Sequence, residues 1–247
     1  LFFFLGFYLI FAQDKPKPED TEIWDPEPEI VTPGIENSAP SDAIILFDGK
    51  DLSKWKNARG GGDASWIIND DNSMTVTRNG CIETLEEFGS VQLHIEWKTP
   101  LKMEGKGQGR GNSGIIFQRR YEVQVLDSYN NRTYSNGQAA SIYKQYAPLV
   151  NASKPPGDWQ TYDIIFMEPE FNEIGIMTKR GRLTVFHNGI LVQNNIEILG
   201  TTEYIGSPKR GRDEMPGYGN TSATGRNLLL QDHSNYVSYR NIWMRKL

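Results

Sequence analysis

The 247-residue sequence contains one cysteine, Cys81, and three histidines, His94, His187 and His233. A lone thiol excludes an intramolecular disulfide framework and any multi-thiolate zinc or iron–sulfur site, each of which needs at least two thiolates. The histidines are far apart and in no ligand spacing, so neither a transition-metal centre nor a cofactor is expected. Loop Asp and Asn residues leave a structural Ca²⁺ open, although no loop shows a regular ligand spacing. A basic excess is also missing: 26 Lys and Arg stand against 31 Asp and Glu, a formal charge of -5, which gives no electrostatic footprint for nucleic acid. No window of about 12 residues carries a 3.6-residue apolar stripe, and no apolar run reaches the roughly 20 residues that span a bilayer.

What is present divides the chain into three. Residues 1–12 are uncharged, mostly apolar and end in a small residue, Ala12. They have the length and ending of a signal-peptide h-region, which predicts an exported protein, periplasmic or at the cell surface. Residues 13–42 hold six of the 13 prolines and nine acidic residues against two lysines. Such a stretch forms neither a helix nor a central strand, so a linker or surface arm is expected. Ile23, Trp24, Ile30 and Val31 are residues in it with something to bury, which favours an arm lying on the domain. Residues 43–247 remain as one domain, because all-β domains routinely run to roughly 200–250 residues.

The domain reads as strands. In VQLHIEWK (91–98) apolar and polar residues alternate strictly, as in a half-buried antiparallel strand. Similar runs recur at 66–69, 74–77, 115–119, 121–126, 162–167, 183–187, 190–192, 227–231 and 236–244. Asn188-Gly189, between TVFH and ILVQ, marks a hairpin with a type I′ turn. About ten short strands and no helices leave a sandwich or a barrel, since a sheet of that size must bury one face against another. Three connections are long, residues 99–111, 128–158 and 200–226, and loops of that length are expected to rim a binding face.

Alternation also selects candidate site residues. In 121–126, Tyr121, Val123 and Val125 share one face, so Glu122 and Gln124 point to the other, about 7 Å apart by strand rise. Asp127 rejoins them if a turn shifts parity after Leu126. A Glu, a Gln and an Asp on an open sheet face suit sugar hydroxyls, which both donate and accept hydrogen bonds; an ordinary solvated face has the same pattern. Gln231 and His233 share one side of a second strand end, and His233 beside Asp232 is a candidate acid or base. His187 at the hairpin tip suits a turn role, and Cys81 a small core residue. GKGQGRG (105–111) lacks the helix and the Lys-Ser/Thr ending of a P-loop and reads as a flexible loop. Asn131, Asn151 and Asn220 open glycosylation sequons, which arise often by chance.

Five ordered blocks, LFDGKDLSKW (46–55), GQGRGNSGIIFQRRYEVQVLDSY (107–129), YAPLVNASKPPGDWQTYDIIF (146–166), TVFHNGILVQNN (184–195) and LLLQDHSNYVSYRNIWMRKL (228–247), together resemble the 3-keto-disaccharide hydrolase family of exported bacterial proteins. The resemblance implies a concanavalin A-like jelly-roll sandwich of two antiparallel sheets. It also implies a glycoside or oligosaccharide substrate already oxidised at C3 by a separate sugar 3-dehydrogenase. A C3 carbonyl acidifies the C2 hydrogen, so a base can remove it and the glycosidic oxygen can leave C1 by β-elimination, with water added later. On this basis Glu122 is the leading general base or acid, His233 a second proton-transfer group, and Arg119 a cation for the enolate, although strand parity places Arg119 on the core side unless a bulge intervenes. Arg110, Asn112, Gln124, Asp127, Trp159 and Gln231 would bind substrate, Trp159 by stacking on a sugar ring. Ser234 departs from the family pattern, where glycine is usual.

Two other functions fit the same residues. A retaining glucanase carries Glu-x-Asp-x-x-Glu, and Glu122-x-Gln124-x-x-Asp127 has that spacing with an amide in the middle and a shorter final acid. A carbohydrate-binding, lectin-like module would use the same face without catalysis, because sandwiches host binding and chemistry alike.

Overall fold

The structure, a computed structural model, describes residues 15–102, 104–216 and 226–247. The apolar stretch 1–12 and the sequon at Asn220 lie outside the described residues. Alternation builds two large antiparallel sheets. One has the order β13 (Ile190–Glu197), β12 (Arg182–His187), β9 (Gln160–Met167), β6 (Val91–Lys98), β15 (Ser238–Lys246), β4 (Met74–Thr75) and β3 (Ile67–Ile68), with β1 (Ile44–Phe47) also paired to β15. The other runs β2 (Trp55–Asn57), β5 (Ile82–Glu87), β14 (Asn227–Leu230), β7 (Ser113–Phe117) and β8 (Tyr121–Val125). A small hairpin joins β10 (Glu170–Phe171) to β11 (Met177–Lys179). The helical segments among the described residues are three short 3-10 turns, and none of the described helices is long and apolar enough to cross a membrane. The molecule is an all-β sandwich of two antiparallel sheets, one of the two forms that the alternation leaves, and it agrees with the jelly roll that the family resemblance implies.

The core forms where the apolar halves of the two sheets meet. Val91, Leu93, Ile95 and Trp97 of β6 and Tyr162, Ile164 and Phe166 of β9 are fully buried, as are Ile115 of β7 and Val123 and Val125 of β8. Phe117 stacks on Phe166 at 4.8 Å, and the Tyr162 hydroxyl donates across the core to the Gln124 carbonyl at 2.9 Å. Each large apolar side chain buried this way contributes about 1.5–3 kcal/mol before the cost of ordering the chain.

Two turns set the register. Asn188 (φ 52°) and Gly189 (φ 78°) form the expected tip between β12 and β13. His187 behind it is buried, edge-on to Tyr162, with Nε2 3.2 Å from Gln160 Oε1, and burial pushes its pKa down to about 3, so it packs as a neutral ring. The turn between β7 and β8 differs from expectation. The strand stops at Phe117, and Gln118 (φ 50°) and Arg119 (φ 57°) make a tight reversal closed by Arg120 N–H donating to Phe117 O at 3.0 Å. Strand parity therefore does not govern Arg119, which leaves the core side and turns toward the outer face.

The second edge of β8 is covered. Val123 bridges Ile142, Gln124 N–H donates to Ser141 O at 3.0 Å, and Tyr143 N–H donates to Glu122 O at 3.1 Å, so the 128–158 loop adds a strand-like segment to this sheet. Thr202 N–H donates to Arg120 O beside it. Covering an edge removes a template for unwanted pairing and locks the register of β8.

On the outer face of the larger sheet, a buried ionic cluster anchors the end of the arm. Asn241, in the left-handed region at a bulge of β15, donates to the Asn37 carbonyl and to Glu96, and Trp243 Nε1 also donates to Asn37. His94 lies between Asp163 (2.7 Å) and Glu96 (3.7 Å) and stacks on Trp243. Upstream the arm does not lie on the domain: Ile23, Trp24 and Ile30 are 88%, 80% and 99% exposed. Six prolines and nine acids leave it too little apolar surface to dock along its length, and its attachment begins near Asn37.

Burial alone would depress the His94 imidazole, but its hydrogen bonds to Asp163 and Glu96 outweigh this and raise its pKa to about 9. A group raised in the folded state stabilises it fully below the unfolded value near 6.5, and that stabilisation, on the order of 3 kcal/mol, is lost as pH rises through about 9. Urea midpoints measured from pH 6 to 10 are expected to fall across this window and to flatten in His94→Gln. Parallel profiles for the two proteins would show that His94 is not the titrating group.

Candidate active site

A cavity of about 580 Å³ opens on the outer face of the five-stranded sheet. Its floor consists of the residues that alternate away from the core: Ile116 of β7, Glu122 and Gln124 of β8, and Leu229 of β14. These four are only 5%, 2%, 1% and 2% exposed, because the long loops stand over them. Gln108 comes from the first loop, Tyr134 and Tyr143 from the second, and Tyr204 and Pro216 from the third. Arg59, on the turn after β2, and the exposed His233, beyond β14, stand at the rim.

Glu122 and Gln124 occupy this floor for a local reason. Gly114, on the neighbouring strand, leaves the space that the Glu122 carboxylate fills; a Cβ there would lie 2.5 Å from Glu122 Oε1. Turned toward Ser113 and Glu122, the Gln124 amide nitrogen donates to Ser113 O at 3.1 Å and to Glu122 Oε1 at 3.0 Å. Asn112 donates to the Gln108 carbonyl at 2.7 Å and fixes the first loop against the floor.

Arg119 enters from the β7–β8 turn. One guanidinium nitrogen lies 3.0 Å from Glu83 Oε2 and the other donates to Ala58 O at 3.1 Å. Burial pushes the Glu83 pKa up, against the attraction of Arg119 and of Lys56. Arg119 Nε and Gln231 Oε1 are buried atoms of pocket-lining side chains with no hydrogen-bond partner among the described residues. One is a donor and the other an acceptor, and an unpaired buried polar atom costs about 1–3 kcal/mol until something satisfies it.

Of the residues singled out from the sequence, Asn112, Arg119, Glu122, Gln124, Gln231 and His233 line this one pocket. Three lie elsewhere. Asp127 and Arg110 pair with each other at 2.7 Å, and Asp127 also accepts from Tyr129 N–H, so both are used in clasping the loops. Asn131 continues that clasp: it is buried, and its amide donates to Asp127 O and Gly107 O. Trp159 sits on the outer face of the other sheet, with Arg240 and Lys98 at 4.1 and 4.5 Å from its ring, where it cannot stack on a sugar held over Glu122. Asp232 does not orient His233; its oxygens accept from Gly80 N–H and Ser234 N–H and hold the turn, where Ser234 has φ 59°, a conformation that glycine adopts without strain.

The alternation missed several side chains of the pocket, among them three tyrosines and Cys81. Tyr134, Tyr143 and Tyr204 lie in irregular loops, where no periodicity marks a facing direction. Cys81 lines the pocket rather than the core, accepting from Asp232 N–H, and burial pushes its thiol pKa up, away from nucleophilic use. Among the described residues no group of three or more His, Cys, Asp or Glu side chains is placed to hold a metal ion.

A jelly-roll sandwich with a carboxylate, amides and tyrosines gathered over one outer sheet face is the architecture of a carbohydrate-active protein. The chain belongs to the 3-keto-α-glucoside-1,2-lyase-like domain family, whose profile matches residues 42–245. A crystal structure from Parabacteroides distasonis, of a protein provisionally named a glycosyl hydrolase, shares 46% identity and a TM-score of 0.84, over 94% of this chain and 97% of that one. A second, similarly named structure from the same organism shares 20% identity and a TM-score of 0.56 over 83% and 94% of the two chains, which shows the fold. No curated protein matches the chain.

The seating of Glu122 over Gly114 is testable without a substrate. Gly114→Ala is expected to destabilise the fold by about 1–3 kcal/mol through overpacking. The same change made in Glu122→Ala should cost little, giving a coupling of similar size in a double-mutant cycle from denaturant melts. Additive effects would mean that the Gly114 space does not serve the Glu122 side chain.

Proposed function

We propose that this protein cleaves the glycosidic bond of 3-keto-glycosides and 3-keto-disaccharides by removing the C2 proton and eliminating the C1 substituent, followed by hydration. The observation that carries this is the gathering in one pocket of a buried carboxylate, Glu122, with Arg119 and Gln231, whose Nε and Oε1 have no hydrogen-bond partner among the described residues. A polyhydroxylated ring with a ketone carries the acceptors and donors that match these side chains.

In this mechanism Glu122 takes the C2 hydrogen and the C–H electron pair becomes the enolate. The charge on its C3 oxygen is met by Arg119. Collapse of the enolate expels the C1 oxygen with the aglycone and leaves a 2-hydroxy-3-keto-glycal. Addition of water across that double bond gives the free 3-keto sugar, so the sum is hydrolysis. Gln124, Asn112 and Gln231 hold ring hydroxyls, and His233 at the rim exchanges protons with solvent. A separate 3-dehydrogenase would supply the substrate, and the apolar residues 1–12 favour a place outside the cytoplasm for the pair.

A retaining glucanase needs a second carboxyl group about 5–5.5 Å from the first. Asp127, the residue that would supply it, is paired with Arg110 away from the cavity. That pairing favours elimination. A lectin-like module would bind unmodified sugar equally well after Glu122 is neutralised.

Incubation with a 3-keto-glucoside is expected to yield free 3-ketoglucose or the 2-hydroxy-3-keto-glycal by mass spectrometry, with the unoxidised parent left intact. Glu122→Gln should lower turnover by about 10²- to 10⁴-fold, the range for losing a general base. Undiminished turnover in that variant would remove Glu122 from the mechanism.

A further inference from the structure

Elimination at C1 leaves an alkoxide unless an acid protonates the departing oxygen, and a carboxylate acting as base cannot also be that acid in the same step. The pocket wall holds a candidate that alternation could not reveal. Tyr143 is the cross-strand neighbour of Glu122: Val123 bridges Ile142, and Tyr143 N–H donates to Glu122 O at 3.1 Å. Residues paired this way project to the same side of a sheet with Cβ atoms about 4.5–5.5 Å apart. The Tyr143 hydroxyl meets the Tyr134 hydroxyl at 2.6 Å, and both rings line the cavity.

Three features single out Tyr134 as the proton donor of the pair. Two phenols in contact share one hydrogen, which leaves the other free for a ligand. Burial raises both pKa values, and the mutual hydrogen bond opposes this for Tyr134, whose phenolate would accept from the Tyr143 hydroxyl. Either hydroxyl can donate in that contact, and when Tyr143 donates the Tyr134 O–H is the one left for a ligand. The Lys144 ammonium lies 4.2 Å from the centre of the Tyr134 ring, where it favours a negative charge on that ring. Finally, Tyr134 is seated as closely as Glu122 is. Its ring lies over Gly137, where any Cβ would come within 2.0 Å of Tyr134 Cε2.

We propose that Tyr134 is the general acid of the elimination, delivering its phenolic proton to the glycosidic oxygen as the C1–O bond breaks, with Tyr143 and Lys144 as positioning residues that stabilise the resulting phenolate. Glu122 gains the C2 proton, Tyr134 loses one to the aglycone, and the C–H electron pair ends in the C1–C2 double bond, so charge and atoms balance. Addition of water returns the system to its starting state: the water proton restores Tyr134, its oxygen bonds to C1, and the proton on Glu122 returns to C2. The inference rests on the elimination reading of the site and assigns one step within it.

The test is dependence on the leaving group, measured in single turnovers with a 3-keto-disaccharide and with 4-nitrophenyl 3-keto-glucoside, whose nitrophenolate departs without a proton. Tyr134→Phe is expected to slow the disaccharide by about 100-fold or more and the nitrophenyl substrate by less than about 5-fold. Glu122→Gln should slow both alike. Tyr143→Phe keeps the ring and is expected to show the same selectivity at smaller size, about 10-fold on the disaccharide. Thermal melts of both variants close to the parent protein would accompany these results. Equal losses on both substrates, or none on either, would overturn the acid assignment while leaving the elimination mechanism standing. Failure of the unsubstituted protein to cleave either substrate would overturn the elimination reading and this step with it.

Discussion

Backbone pairing on both edges of β8 is the constraint on which the rest of the site depends. β7 holds one edge in register, and the 138–146 segment holds the other. With both edges occupied the strand cannot slip, and a slip of one residue would exchange Glu122 and Gln124 for Tyr121, Val123 and Val125. The core side resists that exchange because Val123 and Val125 are fully buried and Tyr121 packs against Phe166. The apolar half of the strand therefore supplies the free energy that keeps the polar half aimed outward.

Glu122 and Gln124 were legible in the sequence because they lie inside a strict alternation, where neighbours fix direction. The strands of the sandwich were legible for the same reason, and the tip at Asn188-Gly189 because its residue types tolerate positive φ, whereas the jelly-roll form came from the family resemblance alone. Parity alone put Arg119 on the core side, because Gln118 and Arg119 adopt that conformation without the glycine that announces it. Asp127 and Trp159 were misplaced for another reason. Each is next to a strand end, where alternation lapses, and what claims each side chain is a long-range partner: Arg110 for one, Arg240 and Lys98 for the other. The tyrosines escaped notice because loop residues have no period, and only the folded chain shows which of the 11 tyrosines face one cavity.

The two outer faces of the sandwich carry polar clusters of opposite character. Around His94 and Glu96 each charge faces an opposite one, Glu96 has its pKa lowered to about 2, and the cluster fastens the chain near Asn37 to the sheet. Around Glu122 two polar atoms lack partners among the described residues, and the face is recessed. Satisfied polar groups stiffen a structure, whereas unsatisfied ones invite a ligand, and the contrast separates anchoring from recognition on a single fold.

The division between floor and wall has a consequence for how such a protein changes over time. Glu122, Gln124 and Gln231 stand on or at the ends of paired strands, where an insertion would disturb the sheet. Gln108, Tyr204 and Pro216 stand on connections whose length can vary at little entropic cost, since doubling a loop adds only about 0.6 kcal/mol. Under the proposed function, substitutions and insertions in those connections would alter which aglycone fits while leaving the floor groups in register. Substrate range and chemistry are in this sense separately inherited traits of one chain.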